Sequence, residues 1–297
     1  MHPIESTSRT RSAWILTLLA AAVPAIAAEP VVQPEGPAKA SPVASDAPNT
    51  PTSVPAAESP GWRADVTAWV WIMGVTGDVG ARGNTTSVDA SFGDVLDASD
   101  SVFGFSGRLE VGKGRWGAFL DGVYTKIGVE DQTGPLGVSD VDVTSELVIL
   151  DFAGMYRLGE WDQTGEAAAN VHRTTLDLYA GGRYTSVDLT LSPEVAAEQS
   201  RGRSWVDPIV GAKFVLPLSE RWHLETTGDV GGFGVSSDFT WSATAVFGYN
   251  FTLFDHPASA YAGYRAIGED YSSGSGDETF TWDVVTHGPI IGFGIKF

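Results

Sequence analysis

The chain of 297 residues contains no cysteine. That excludes a disulfide framework, a thiolate metal site, a cysteine nucleophile and a lipid-modified cysteine as an anchor. Basic residues are scarce as well: 18 Lys and Arg face 37 Asp and Glu, for a formal net charge of −19. Such a chain has no footprint for nucleic acid, whose phosphates need a basic surface. Long apolar runs are also missing. The clearest, AWILTLLAAAV at 13–23, falls short of the ~20 residues that a membrane-spanning helix needs.

That short run has a different use. Arg9 and Arg11 precede it, Pro24 breaks it, and AIAA follows. A basic start, a short apolar core and small residues at a cleavage point make a secretory signal peptide, expected to occupy residues 1–28. Thr10 separates the two arginines, so the signal is not of the twin-arginine kind. Residues 29–61, EPVVQPEGPAKASPVASDAPNTPTSVPAAESPG, are rich in Pro, Ala and Ser and have no apolar period. They cannot bury enough surface to offset their ordering entropy, so a disordered linker is expected.

From Trp62 onward the pattern changes to period-two alternation in segments separated by Gly, Asp, Ser and Pro clusters. In Phe239–Leu253, the residues Phe239, Trp241, Ala243, Ala245, Phe247, Tyr249, Phe251 and Leu253 share one face; Thr240, Ser242, Thr244, Gly248, Asn250 and Thr252 share the other. Strands are expected at 62–76, 101–112, 116–128, 142–157, 174–188, 203–216, 220–232, 238–253, 258–269 and 282–297. Short connections such as 113–115, 217–219 and 254–257 contrast with longer ones, as in outer-membrane barrels with short periplasmic turns and long outer loops. The fold class predicted is all-β: a closed up-and-down antiparallel transmembrane barrel over 62–297 with about ten strands, eight being the alternative count. A spanning sheet must close, because lipid offers no partner to a free backbone edge. Trp62, Trp116, Trp205, Trp222, Trp241 and Tyr249 lie near strand ends, where interfacial girdles are expected. Alternation does not say which face is inside, so a soluble barrel with its apolar face inward is the competing architecture.

The chain ends HGPIIGFGIKF, with Ile291, Phe293, Ile295 and the terminal Phe297 on one face. This ending resembles the C-terminal assembly signal of bacterial outer-membrane barrels, in which the last residue is aromatic and alternate residues before it are apolar. With GRWGAFLDGVY, DPIVGAKFVLPLSERWHLETTGDVGGF and WSATAVFGYNF, the stretch 62–297 resembles the OmpA-type superfamily of small transmembrane barrels. The resemblance implies residence in the bacterial outer membrane. It implies contact with lipid and lipopolysaccharide, and capture of the last strand by the barrel assembly machinery. It implies no particular activity, because fold does not fix function.

A barrel of this size has a lumen largely filled by side chains. The expected inward set is Arg108, Glu110, Asp121, Asp151, Asp177, Arg183, Asp207, Lys213, Glu225, Asp229 and Arg265. Buried ions must pair, so this set predicts a lumen charge network. The function expected is structural or surface-interacting. Acids outnumber bases in the set, which makes a narrow porin-like channel for small solutes or cations the alternative. A rim enzyme is the weaker rival. Omptin proteases are ten-stranded barrels with acids and a histidine at the outer rim. Here His223-x-Glu225 falls at a periplasmic turn; His172 and His256 fall in periplasmic links and His287 on the lipid side. No catalytic site, cofactor or metal site is therefore predicted. The acidic outer loops, with Asp78, Asp89, Asp94, Asp97 and Asp100 in the first and Glu269, Asp270, Asp277 and Glu278 in the last, lack the calcium-loop pattern and read as solvated faces.

Overall fold

The computed structural model describes residues 61–81, 84–98, 101–133, 140–161, 173–193 and 199–297. The expected signal peptide at 1–28 and all but the last residue of the linker at 29–61 lie outside the described residues. The elements are β1 (Trp62–Trp71), β2 (Gly74–Ala81), β3 (Asn84–Ala90), the short helix α1 (Phe92–Ala98), β4 (Ser101–Lys113), β5 (Trp116–Thr133), β6 (Asp140–Trp161), β7 (Thr174–Pro193), β8 (Gln199–Pro217), β9 (Trp222–Gly232), β10 (Phe239–Leu253), β11 (His256–Ser273) and β12 (Phe280–Lys296).

Ten of these strands, β1 and β4 to β12, pair in sequence order, and β1 closes on β12. The architecture is a closed antiparallel ten-stranded barrel, and β2 and β3 stand outside the ring as a hairpin. The closing seam sets Asp65–Trp71 against Lys296–Ile290. At the terminus, Phe297 and Ala64 exchange two backbone hydrogen bonds, of 2.8 and 3.1 Å. These two bonds extend the closing β1–β12 ladder to Phe297.

The alternation resolves into two faces with opposite chemistry. Leu120, Phe152, Leu178, Val210, Phe247 and Ile291 stand on the exposed outer face, at 43–52% exposure. Arg183 and Asp207 face the interior and are fully buried. The interior also holds apolar clusters, such as Phe119, Met155, Tyr179 and Ile209, beside these charges; the exposed apolar outer face is what a soluble barrel would lack. Trp62 and Trp116 project outward at the short-turn end, at 74% and 69% exposure, and Trp222 joins them there. At the other end, Lys126 and Glu146 form an exposed outer-face ion pair of 2.7 Å. The apolar band lies between these levels. β6, β7 and β8 have 22, 20 and 19 residues, well beyond the ~9–11 that a tilted transmembrane strand needs. Their far ends therefore rise above the band.

The structure departs from the sequence expectation at several places. The first strand was expected to run unbroken over 62–76; instead it breaks at Ile72 and Met73 and resumes as β2, which then turns back as β3. Pro289 supplies the reason. Its carbonyl accepts from the Ile72 N–H at 2.9 Å, so that edge of Pro289 faces the first strand. A proline has no N–H to return there, and one ladder bond is lost where the strand breaks. Beside it, a Cβ on Gly288 would sit 1.8 Å from the Ile72 carbonyl oxygen, so only glycine fits that approach. Trp205 is not part of a girdle. It faces inward, 5% exposed, and stacks on Tyr271 at 4.1 Å.

Candidate functional site: the lumen

The lumen is crossed by polar side chains in tiers. Nearest the short turns, Lys213 on β8 donates to Glu110 on β4 at 2.9 Å and lies 3.3 Å from Glu225 on β9. Arg108 lies 3.4 Å from Glu110 and 3.7 Å from Asp121, with its guanidinium 3.8 Å from the centre of the Phe119 ring. Arg265 on β11 reaches across to Asp121 on β5 at 2.8 Å. Two of these contacts, Lys213–Glu110 and Arg265–Asp121, join strands that are not neighbours in the sheet and so span the interior; the others run along the wall.

The middle tier is centred on Arg183. Its Nε and Nη2 donate to both oxygens of Asp151, at 2.8 and 2.9 Å. Nη2 also donates to Asp229 at 3.1 Å, and Nη1 donates to the Thr240 hydroxyl at 3.0 Å. Asp229 accepts further bonds from the Tyr179 hydroxyl, at 3.0 Å, and from Ser242. A planar guanidinium with a forked donor set suits this bidentate role better than an ammonium does. Above it, Thr185 donates to Glu269, and the Ser237 hydroxyl and N–H donate to Asp207.

Of the residues expected inward, Asp177 lies against the wall and takes a bidentate contact from Arg157, at 2.7 and 3.0 Å. Arg157 was not foreseen, although it shares the parity of Asp151. Glu269 was expected in an outer loop. It faces inward, 3% exposed, because β11 runs to Ser273 rather than 269. Among the described residues, two small cavities lie between these groups. One cavity of about 30 Å³ lies among Arg108, Asp121, Asp151 and Arg265, and another of about 30 Å³ among Asp65, Glu110, Lys213 and Lys296. Each has room for a water or two.

The described histidines do not converge. His223 is buried beside the Tyr261 ring, 5.6 Å between centroids, while Glu225 turns to Lys213. His256, the first residue of β11, lies against the Phe297 ring, and His287 Nδ1 lies on the outer face 2.6 Å from the Tyr264 hydroxyl. His172 and Asp100 lie outside the described residues. Among the described residues, no group of three or more His, Asp or Glu is arranged to hold a metal ion. In the loops, Asp78 accepts from Ser87, and Asp94 accepts from the Ser91 N–H and hydroxyl at the start of α1. Ile291, Phe293, Ile295 and Phe297 share the outward face of β12; the Phe251 and Phe293 rings lie 5.8 Å apart there.

No protein-family model and no curated protein matches the chain. Among solved structures, Ail, the attachment invasion locus protein of Yersinia pestis in complex with the heparin analogue sucrose octasulfate, aligns over 80% of this chain and 99% of that one, at 10% identity and a TM-score of 0.36. A second structure of Ail aligns over the same shares at a TM-score of 0.31. A Pseudomonas aeruginosa FadL homologue aligns over 81% of this chain and 90% of its own, at 8% identity and a TM-score of 0.25. These are likenesses of general form. The fold itself defines the class: a small antiparallel β-barrel of the outer-membrane type.

Proposed function

We propose that the chain is a bacterial outer-membrane barrel with a structural or surface-interacting role, whose lumen is closed to solute flow. One observation carries this reading. Arg183, with 0% exposure, ties β7 to β6, β9 and β10 through the middle of the lumen. The apolar outer face suits lipid, and the Trp62, Trp116 and Trp222 girdle suits an interface. In this reading, residues 1–28 are a cleaved leader, 29–61 a periplasmic linker, and Ile291, Phe293, Ile295 and Phe297 the strand read by the assembly machinery. Outer-membrane lipid and lipopolysaccharide are its surroundings, and no reaction is assigned to it.

The excess of lumen acids, with Glu269 added to the foreseen set, favours a narrow cation path as the second reading. Planar-bilayer recording separates the two. The first predicts a silent bilayer in molar KCl. Sustained cation-selective steps from the pure, folded protein would overturn it.

A further inference from the structure

The wall of the barrel is incomplete at one place. β4 pairs with β5 over its whole length, Ser101–Lys113, but with β1 only from Ser106 to Lys113. Above Trp69↔Ser106, the first strand breaks and its continuation, β2, pairs with β12 on one side and β3 on the other. Among the described residues, β3 and the upper part of β4 share no ladder. In a bilayer such an edge is costly unless something covers it.

A cavity of about 240 Å³ occupies this split. Its lining comes from both faces of the wall. Val70, Phe105 and Tyr124 belong to the outer face, while Trp69, Ser106 and Val123 belong to the buried inner face. The void thus lies within the thickness of the wall, with Phe92 of α1 also against it. Its level is set by the Phe105↔Tyr124 pair, one outward position below Lys126, hence at the upper margin of the apolar band. The volume exceeds the ~150 Å³ apolar cavity that stays dry and binds benzene. Two donors on residues that line the cavity have no hydrogen-bond partner among the described residues: the Ser106 hydroxyl, on a residue 2% exposed, and the Trp71 indole N–H. A buried donor left unpaired is expensive, so the inner end calls for an oxygen acceptor.

We propose that this split is a lateral binding site for a fatty acid, taken from the outer margin of the bilayer. The carboxyl end meets Ser106 and Trp71, the first carbons lie between Trp69, Val70, Phe105 and Val123, and the rest of the chain stays among the lipids. A free acid suits the inner donors better than a phospholipid does, because a phospholipid would enter tail first and offer them no acceptor. The proposal rests on the membrane reading above.

The site carries its own reporters. Trp69 and Trp71 are two of the nine tryptophans that remain once residues 1–28, with Trp14, are removed. Bromine next to a carboxyl group quenches indole at contact, and with no cysteine present 2-bromohexadecanoic acid is not consumed by thiol alkylation. Folded protein in phospholipid vesicles should lose up to about a fifth of its emission beyond the quenching seen in a Trp69→Phe/Trp71→Phe protein. Gly104→Leu should abolish that difference by filling the cavity. A Cβ at Gly104 meets only ordinary contacts, the nearest being Thr125 Oγ1 at 3.7 Å, so the variant should fold. Vesicles with brominated phospholipid chains should quench wild type and Gly104→Leu equally. Equal quenching of all three proteins by the free acid would overturn the proposal, and so would a Gly104→Leu effect seen only with the brominated phospholipid. A wild-type protein that fails to insert would instead refute the membrane reading, a separate result visible as a missing heat-dependent gel shift.

Discussion

Replacing Arg183 with methionine tests the lumen cluster directly. Methionine keeps an unbranched side chain of similar reach and removes the charge. Asp151 then loses both of its bonds from Arg183, and Asp229 keeps only Tyr179 and Ser242. Removing one partner of a buried pair strands the other charge, at a cost of about 3–5 kcal/mol. At ~1.4 kcal/mol per decade, that is a loss of roughly two to three and a half decades in the folding equilibrium. Urea titration of the protein in vesicles, followed by tryptophan emission, reads it. Adding Asp151→Asn to the Arg183→Met protein should recover a large part of the loss, because it removes the stranded charge. Stability within ~1 kcal/mol of wild type for Arg183→Met would refute the reasoning. A further loss on adding Asp151→Asn would do so too. Either result would mean that water reaches these groups and that the lumen is wetter than its dimensions imply.

On the outer face, Leu120→Arg places a charge about midway up the apolar band beside Phe152. It should cost about 2–4 kcal/mol in vesicles; the same change at the exposed Lys126 level should cost little. Deleting Phe297 removes the two backbone bonds to Ala64, a loss on the order of 1–3 kcal/mol. It should also slow assembly in cells, and normal insertion of the truncated chain would count against the C-terminal reading. Gly288→Ala forces a Cβ against the Ile72 carbonyl and should lower the temperature of the gel shift by disturbing the β1–β12 seam.

Much of the barrel was legible because each strand meets two solvents. Phe239–Leu253 separates into an apolar and a polar face with one exception, Val246, which points inward and packs with Trp69, Tyr261 and Ile290. What alternation could not supply was direction; the burial of Arg183 beside the exposure of Phe152 supplies it. Strand ends were less legible, because membrane thickness does not stop a strand whose polar continuation is also extended. That is why Glu269 was taken for a loop residue. Arg157 could have been found by counting inward positions from Asp151 along β6. The Trp205–Tyr271 stack could not, since aromatics near a strand end suit a girdle equally well. The helix Phe92–Ala98 has no apolar period long enough to announce it.

The hardest feature to read was the break in the first strand, yet its cause was in the sequence. Pro289 interrupts the donors of an otherwise regular last strand. Placed opposite Ile72, it withholds the N–H that a continuous first strand would use, and Gly288 lets the broken chain approach. The β2–β3 hairpin then covers the β12 edge above the break, as the eight-residue register Phe280–His287 against Ala81–Gly74 shows. Closing that edge moves the vacancy one strand along, to the β3 side of upper β4. Among the described residues, this leaves β3 and the upper part of β4 without a ladder between them. Here that edge of β4 faces an apolar cavity at the membrane margin, where an acyl chain is the neighbouring solvent. The same proline that interrupts the ladder thus sets where the wall opens, and Pro289→Ala, which restores the N–H, should reduce fatty-acid quenching of Trp69 and Trp71 if the strand straightens and the split narrows.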